Sequence, residues 1–281
     1  MSTDLAKRIT RQPGFGLKAP RRRTRRVFTR KQRWIVSVIN LGVFFLIWQL
    51  AATYSDIPQL ILPSLTDVFR EVREMSAEGI LWGNLGLSAW IYIVGMVISL
   101  VIAIPLGLLF GGVRVLEKIV TPYVWAIYTT PRLILMPLLL LWIGINDTTR
   151  IVIIVLSAVP ATLVVVMEGV KTVDNSLLTA ARSFGAGRLQ LFRSVVLPST
   201  VPFVATGVRM GVSRGLIGLF IGELFTANNG IGYIIALASK SFNSARTFGM
   251  LIIFVMFCLA MVGVTQLLER KASQWRPPPS T

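Results

Sequence analysis

Histidine is absent from this 281-residue sequence, and cysteine occurs once, as Cys258 within an apolar run. The first absence removes imidazole metal sites, imidazole general bases and Ser-His-Asp or Cys-His triads. The second removes an intrachain disulfide and a thiolate metal cluster. Charge is scarce as well. Only 15% of residues are Asp, Glu, Lys or Arg, against roughly 25% in an average soluble domain. No Walker A pattern, G-x-x-x-x-G-K-[ST], occurs, so the chain lacks that phosphate-cradling loop. No clustered nucleophile or metal-ligand set replaces it, and we assign no catalytic and no metal-binding residue.

What is present is hydrophobic. Apolar residues make up 54% of the chain, and mean hydropathy is +0.70. These values define an integral membrane protein. Net charge is +17, but 12 of the 29 basic residues fall within the first 33. Attraction to anionic lipid heads accounts for that tail more simply than nucleic-acid binding. Residues 1–33 have no apolar period and read as a disordered tail. Thr24–Arg30 resembles a twin-arginine export signal, yet a basic flank before a first span is ordinary positive-inside chemistry.

Six segments are candidate spans: Trp34–Tyr54, Leu85–Gly112, Ile119–Gly144, Ile151–Met167, Ser199–Ala227 and Thr247–Leu268. With the N-terminus inside, the inner segments carry 21 Lys and Arg and the outer segments 5. That asymmetry places both termini in the cytoplasm. The expected layout is a cytoplasmic tail at 1–33, a membrane domain at 34–270 and a second tail at 271–281. Ser64–Glu78, in an outer segment, mixes apolar and charged positions and can form a short helix.

The longest interior inner segment is 168–198. Apolar residues recur at helical spacing from Leu177 to Phe192, with an interruption at Gly185 and Gly187. Asp174 or Ser176 can cap the first helix, and Gly185 can close it. Two readings are open on the pattern alone: an interfacial amphipathic linker, or an element that docks into a partner's groove.

The stretch Thr179-Ala180-Ala181, three residues, Gly185, nine residues, Val195-Val196-Leu197-Pro198 resembles the EAA loop of ABC importer permeases, E-A-A-x3-G-x9-I-x-L-P. Thr179 stands in place of Glu and Val195 in place of Ile. Ile61–Ser64, Arg182–Ala186, Thr206–Arg209, Gly222–Leu224 and Gly230–Tyr233 are similar to the nitrate, taurine and aliphatic sulfonate branch of that family. The resemblance implies an all-α permease with six transmembrane helices in the inner, cytoplasmic membrane. It also implies a cytoplasmic ABC ATPase dimer that holds the ATP, a second permease subunit forming a homodimer, and an extracytoplasmic binding protein. The loop would be the coupling helix between spans 4 and 5, with Thr179, Ala180, Ala181, Arg182, Gly185, Leu197 and Pro198 as its working residues. The solute would be small and polar or anionic, and this chain would carry no cofactor. The rival reading is a stand-alone secondary transporter, for which no internal repeat gives support.

Charges inside spans cost on the order of 3 kcal/mol at the bilayer centre and therefore mark cavities, partners or boundaries. Arg132 and Arg214 are candidates for the translocation path, and Arg132 can alternatively bond carbonyls freed by nearby prolines. Arg209 either lines a cavity or snorkels. Glu223, before Gly230 and Gly232, is either a gate residue or an interfacial side chain.

Overall fold

Backbone polar groups in hydrocarbon must be satisfied within their own segment, so long apolar runs become long helices. In the computed structural model, which describes residues 30–226 and 228–272, every regular element is helical. The order is α1 (Arg30–Tyr54), α2 (Leu65–Ala77), α3 (Ile80–Gly112), α4 (Arg114–Thr129), a 3-10 turn (Arg132–Leu135), α5 (Met136–Ile143), α6 (Asp147–Lys171) and α7 (Asn175–Ser183). It continues with α8 (Arg188–Leu191), a π segment (Phe192–Val196), α9 (Leu197–Thr226), α10 (Ile231–Lys240) and α11 (Ser244–Ala272). Five helices are long and apolar enough to cross a membrane, and a sixth crossing results if the bent pair α4 and α5 is one span.

The chain divides into two compact units, one ending at Trp48 and one beginning at Gln49. The described part of the first is the body of α1. Its Phe44 ring meets Phe45 and Trp48 edge-on at 5.5 and 6.1 Å, and Ile35, Val38, Ile39 and Leu41 are exposed. Helix α1 starts at Arg30, so the last residues of the expected 1–33 tail are helical. The rest of that tail, with most of the twin-arginine look-alike, lies outside the described residues. So does most of the expected 271–281 tail, because α11 continues to Ala272.

In the second unit α6 is the central element, buried along most of its length and packed between α3 and α9. Small residues set the spacing. Gly207, Gly211, Gly215, Gly218 and Gly222 recur along the inner face of α9. A Cβ at Gly218 would lie 2.9 Å from the Ile153 carbonyl and 3.0 Å from the Ile154 Cα, which are backbone and cannot step aside. Gly107 and Gly111 serve the α3 contact with Val166, Met167 and Val170 in the same way. The small-xxx-small pairs therefore pack helices within this chain.

The third expected span, Ile119–Gly144, is broken. Helices α4 and α5 meet at 89°. Pro131 lacks an amide hydrogen and drives Thr130 into the extended region, φ −65°, ψ 125°. Pro105, Pro122, Pro160 and Pro202 are all tolerated inside helices.

The expected helix at Ser64–Glu78 is α2, with Ser64 as N-cap accepting from the Asp67 amide at 3.2 Å and Glu78 as C-cap. Its Met75 packs with Leu81, Ile231, Ile234, Ile235 and Met250 at one end of the bundle. The outer segment 228–246 also holds α10, a short apolar helix that the charge count did not separate. Glu71 of α2 accepts from Arg246 Nε at 2.9 Å and from Asn243 Nδ2 at 3.1 Å. Burial raises the Glu71 carboxyl, but these bonds and the Arg246 charge outweigh it and hold it below its ordinary 4.5. A lowered carboxyl stabilises the fold above its unfolded value and loses that contribution as pH falls through the folded value. The thermal midpoint in detergent is therefore expected to drop at acid pH. Glu71→Gln should remove a part worth up to about 1 kcal/mol at neutral pH and flatten the profile. An unchanged profile in Glu71→Gln would contradict this assignment.

Candidate functional site

The segment that joins α6 to α9 is built from caps and one left-handed residue. Asp174 accepts from the Ser176 amide at 2.8 Å and starts α7. The same backbone hydrogen bond holds the Asp174 carboxyl below its ordinary range. At the other end the Gly185 amide donates to the Arg182 carbonyl at 2.9 Å and the Ala186 amide to the Ala181 carbonyl at 3.1 Å. That pair of bonds is a Schellman motif, with Gly185 at the position beyond the cap. Its φ is +82°, and a Cβ there would meet nothing within 4 Å. Gly185 is thus required for its backbone conformation, and no close approach among the described residues involves it.

The surface of this segment faces outward. Thr179, Ala180, Arg182 and Gly185 are exposed, and Ala181 is half-buried. Phe184 is 92% exposed, and Leu177 and Leu189 are also exposed. A cavity of about 1000 Å³ lies behind it, lined among others by Arg114, Asn175, Leu178, Arg182, Arg188 and Phe192. Lys171, at the end of α6, pairs with Glu117 at 2.7 Å and Glu168 at 2.8 Å, and so ties α4 to α6 beside the segment.

Pro198 does not interrupt the chain. Arg188–Thr226 is continuous helix. The π segment Phe192–Val196 lies just before Leu197 and Pro198, where a proline without an amide hydrogen otherwise breaks the i to i−4 ladder. The second short helix expected from the sequence is accordingly the first two turns of the membrane helix itself.

Arg132 and Arg214 come together around one residue. Arg132 Nη1 donates to the Tyr128 carbonyl at 2.7 Å and the Thr130 carbonyl at 2.9 Å, which closes the open end of α4 at the proline break. The Arg214 guanidinium carbon stands 5.8 Å from the centre of the Tyr128 ring. Arg209 is separate and pairs with Glu269 at 3.2 Å.

Glu223 is fully buried. Its Oε1 accepts from the Ser88 hydroxyl and its Oε2 from the Gly232 amide at 2.7 Å. Ser88 Oγ in turn accepts from the Ile231 amide at 3.0 Å, and Asn84 Oδ1 from the Gly230 amide at 2.6 Å. Arg150 donates to the Asn229 carbonyl at 3.3 Å and to Asn229 Oδ1 at 3.0 Å, and also pairs with Asp147. Gly230, at φ +105°, lies so close to the carboxyl that any Cβ would collide with it. The sequence reading singled out Glu223, Gly230 and Gly232 but missed Asn84, Ser88, Arg150 and Asn229. Asn84 and Ser88 carry a signal: they are polar at i, i+4 near the start of a largely apolar helix.

These features define a multi-pass helical membrane domain with an exposed helical loop at one end and charged groups inside. By sequence the chain belongs to the family described as "Binding-protein-dependent transport system inner membrane component", which matches residues 100–274. It is thus a permease subunit of an ABC importer, a class that works with a separate ATPase and a binding protein. It is 30% identical to a putative aliphatic sulfonates transport permease of Escherichia coli K12, over 88% of this chain and 95% of that protein. It is 30% identical to a probable ABC transporter permease of Brucella abortus, over 77% and 87%, and 27% identical to the taurine transport system permease of Escherichia coli K12, over 87% and 93%. Its fold is similar to a chain of the MetNI methionine ABC transporter in an inward-facing conformation. The TM-score is 0.61 at 19% identity, covering 70% of this chain and 98% of that one. These relationships give a stand-alone secondary transporter no support.

Proposed function

We infer that this chain forms, with a second copy of itself, the membrane path of an importer driven by a cytoplasmic ATPase dimer. The observation that carries the reading is an exposed, glycine-terminated helix α7 joined to a membrane helix that runs without a break from Arg188 to Thr226. Thr179, Ala180, Ala181 and Arg182 offer the small and basic surface on which the ATPase closes. Leu197 and Pro198, at the junction with α9, turn movement of α7 into movement of the span. All ATP is bound and hydrolysed by the partner, and this chain carries no cofactor. Residues 34–270 make up the permease domain of a cytoplasmic-membrane protein with both termini inside. The 21-to-5 distribution of basic residues supports that orientation.

A binding protein delivers the solute from outside. Names of relatives that print sulfonates and taurine, together with two arginines inside the spans, support a small anionic or zwitterionic solute. Arg132 and Arg214 line the path. The Glu223, Gly230 and Gly232 network closes the end opposite α7.

Uptake tests this reading. Vesicles carrying the permease, its ATPase and its binding protein are expected to accumulate labelled ethanesulfonate or taurine only with ATP inside. Omission of the binding protein should reduce the rate by tenfold or more, by analogy with lost substrate positioning. Uptake driven by an ion gradient without ATP would overturn the proposal.

A further inference from the structure

Five arginines of the helix bundle fall into two groups. Arg150, Arg209 and Arg246 each have a carboxylate, from Asp147, Glu269 and Glu71. Arg132 and Arg214 have none within ion-pair distance among the described residues. A guanidinium stays charged at all accessible pH, so each carries a full positive charge at membrane depth. Arg132 commits Nη1 to two carbonyls, while its Nη2 is buried and has no hydrogen-bond partner among the described residues. Arg214, near the middle of α9, lies over the face of Tyr128. The two like charges therefore converge on Tyr128, one at its carbonyl and one at its ring. The α9 face that carries Arg214 is unpacked within this chain: Met210 and Ile217, one turn to either side, are 51% and 52% exposed.

We propose that Arg132 and Arg214, set on either side of Tyr128, form an anion-selecting station that takes the oxyanion head of the solute, of the sulfonate class. This rests on the permease reading above. A guanidinium presents planar paired donors suited to two oxygens of one oxyanion. Arg132 is preset for this, because its bonds to the Tyr128 and Thr130 carbonyls fix the guanidinium and leave Nη2 without an acceptor among the described residues. Two cations without a protein anion attract a passing oxyanion and repel a cation, so the pair selects by sign as well as by shape.

The test reads local charge selectivity directly. Ile217→Cys is made in a Cys258→Ala background, and the chain is assembled with its ATPase in lipid nanodiscs. Modification rates are measured with anionic 2-sulfonatoethyl methanethiosulfonate and cationic 2-(trimethylammonium)ethyl methanethiosulfonate. Each rate is divided by that reagent's rate with 2-mercaptoethanol. The anionic reagent is expected to be favoured about tenfold or more, as two charges within several ångströms require. Adding Arg132→Gln and Arg214→Gln should bring the ratio near one, while Arg214→Lys, which keeps the charge, should retain most of it. Ethanesulfonate should slow the anionic reagent in the parent and not in the double Gln variant. If both reagents react and the ratio is near one in the parent, the anion station is wrong and the water-filled path stands. If neither reacts while the thiol titrates after unfolding, the α9 face is outside the path, and the path assignment itself fails.

Discussion

Gly185→Val is expected to leave the permease in the membrane at normal abundance and to cut co-purification of its ATPase by about tenfold or more. Gly185 has φ +82° and an open surround, so a Cβ adds backbone strain and no collision. For an ordinary residue the left-handed region costs roughly 1–2 kcal/mol, and more for a β-branched one. That is enough to open the Schellman closure at Ala181 and Arg182 and to let α7 fray. The surrounding segment is exposed, so the membrane fold does not depend on it. Gly185→Asn separates the causes, because Asn tolerates φ > 0 and should retain the ATPase to within about twofold. Gly185→Asp has nearly the same shape as Asn but places a negative charge in the docking surface. If α7 seats in a partner's groove, Asp loses the ATPase and Asn keeps it. Equal retention by all three variants, with normal transport, would contradict the coupling role.

Glu223→Ala is the second large effect. The side chain is buried and holds Ser88 and the Gly232 amide. Its removal leaves two donors unpaired away from water and opens a cavity, which together cost about 3 kcal/mol or more. Those bonds tie α10 to α3 and α9, so α10 should loosen first. The expected results are a lower thermal midpoint in detergent and protease or thiol access at residues 228–240. Glu223→Gln should suffer less, because its amide oxygen still accepts from Gly232 and its NH2 can donate to Ser88. A Glu223→Ala variant with an unchanged midpoint and unchanged transport would show that the network is dispensable.

The two predictions address opposite ends of the bundle, and the sequence revealed those ends unequally. Helix α7 was readable because its signals are local: Asp174 as cap, helical spacing, and a glycine where the chain must turn left-handed. Helix α2 was readable for the same reason, from Ser64 to Glu78. Spans were found as uncharged apolar runs, which record what lies in hydrocarbon but not how it bends. Three prolines interrupt the run from 119 to 144, but the pattern gives neither which of them breaks the helix nor the 89° angle. Pro198 shows the converse. A proline in an apolar run suggests a boundary, but the π segment before it lets the helix pass. The Glu223 network was illegible because it joins Asn84 and Ser88 to residues about 140 positions later, and no periodicity records such pairings. Burial also changed the meaning of the residue. Glu223 is fully buried and is a fixed acceptor at the α9–α10 corner, not an interfacial side chain in water.

The coupling role of this chain requires that α7 hold an ATPase. The direct measurement is purification of the tagged chain from its own membranes in mild detergent, with intact-complex mass spectrometry of what accompanies it. The account predicts two copies of this chain with two copies of a Walker-type ATPase, and loss of that ATPase in Gly185→Asp. A chain that purifies reproducibly without an ATPase and moves solute in vesicles without ATP would contradict it.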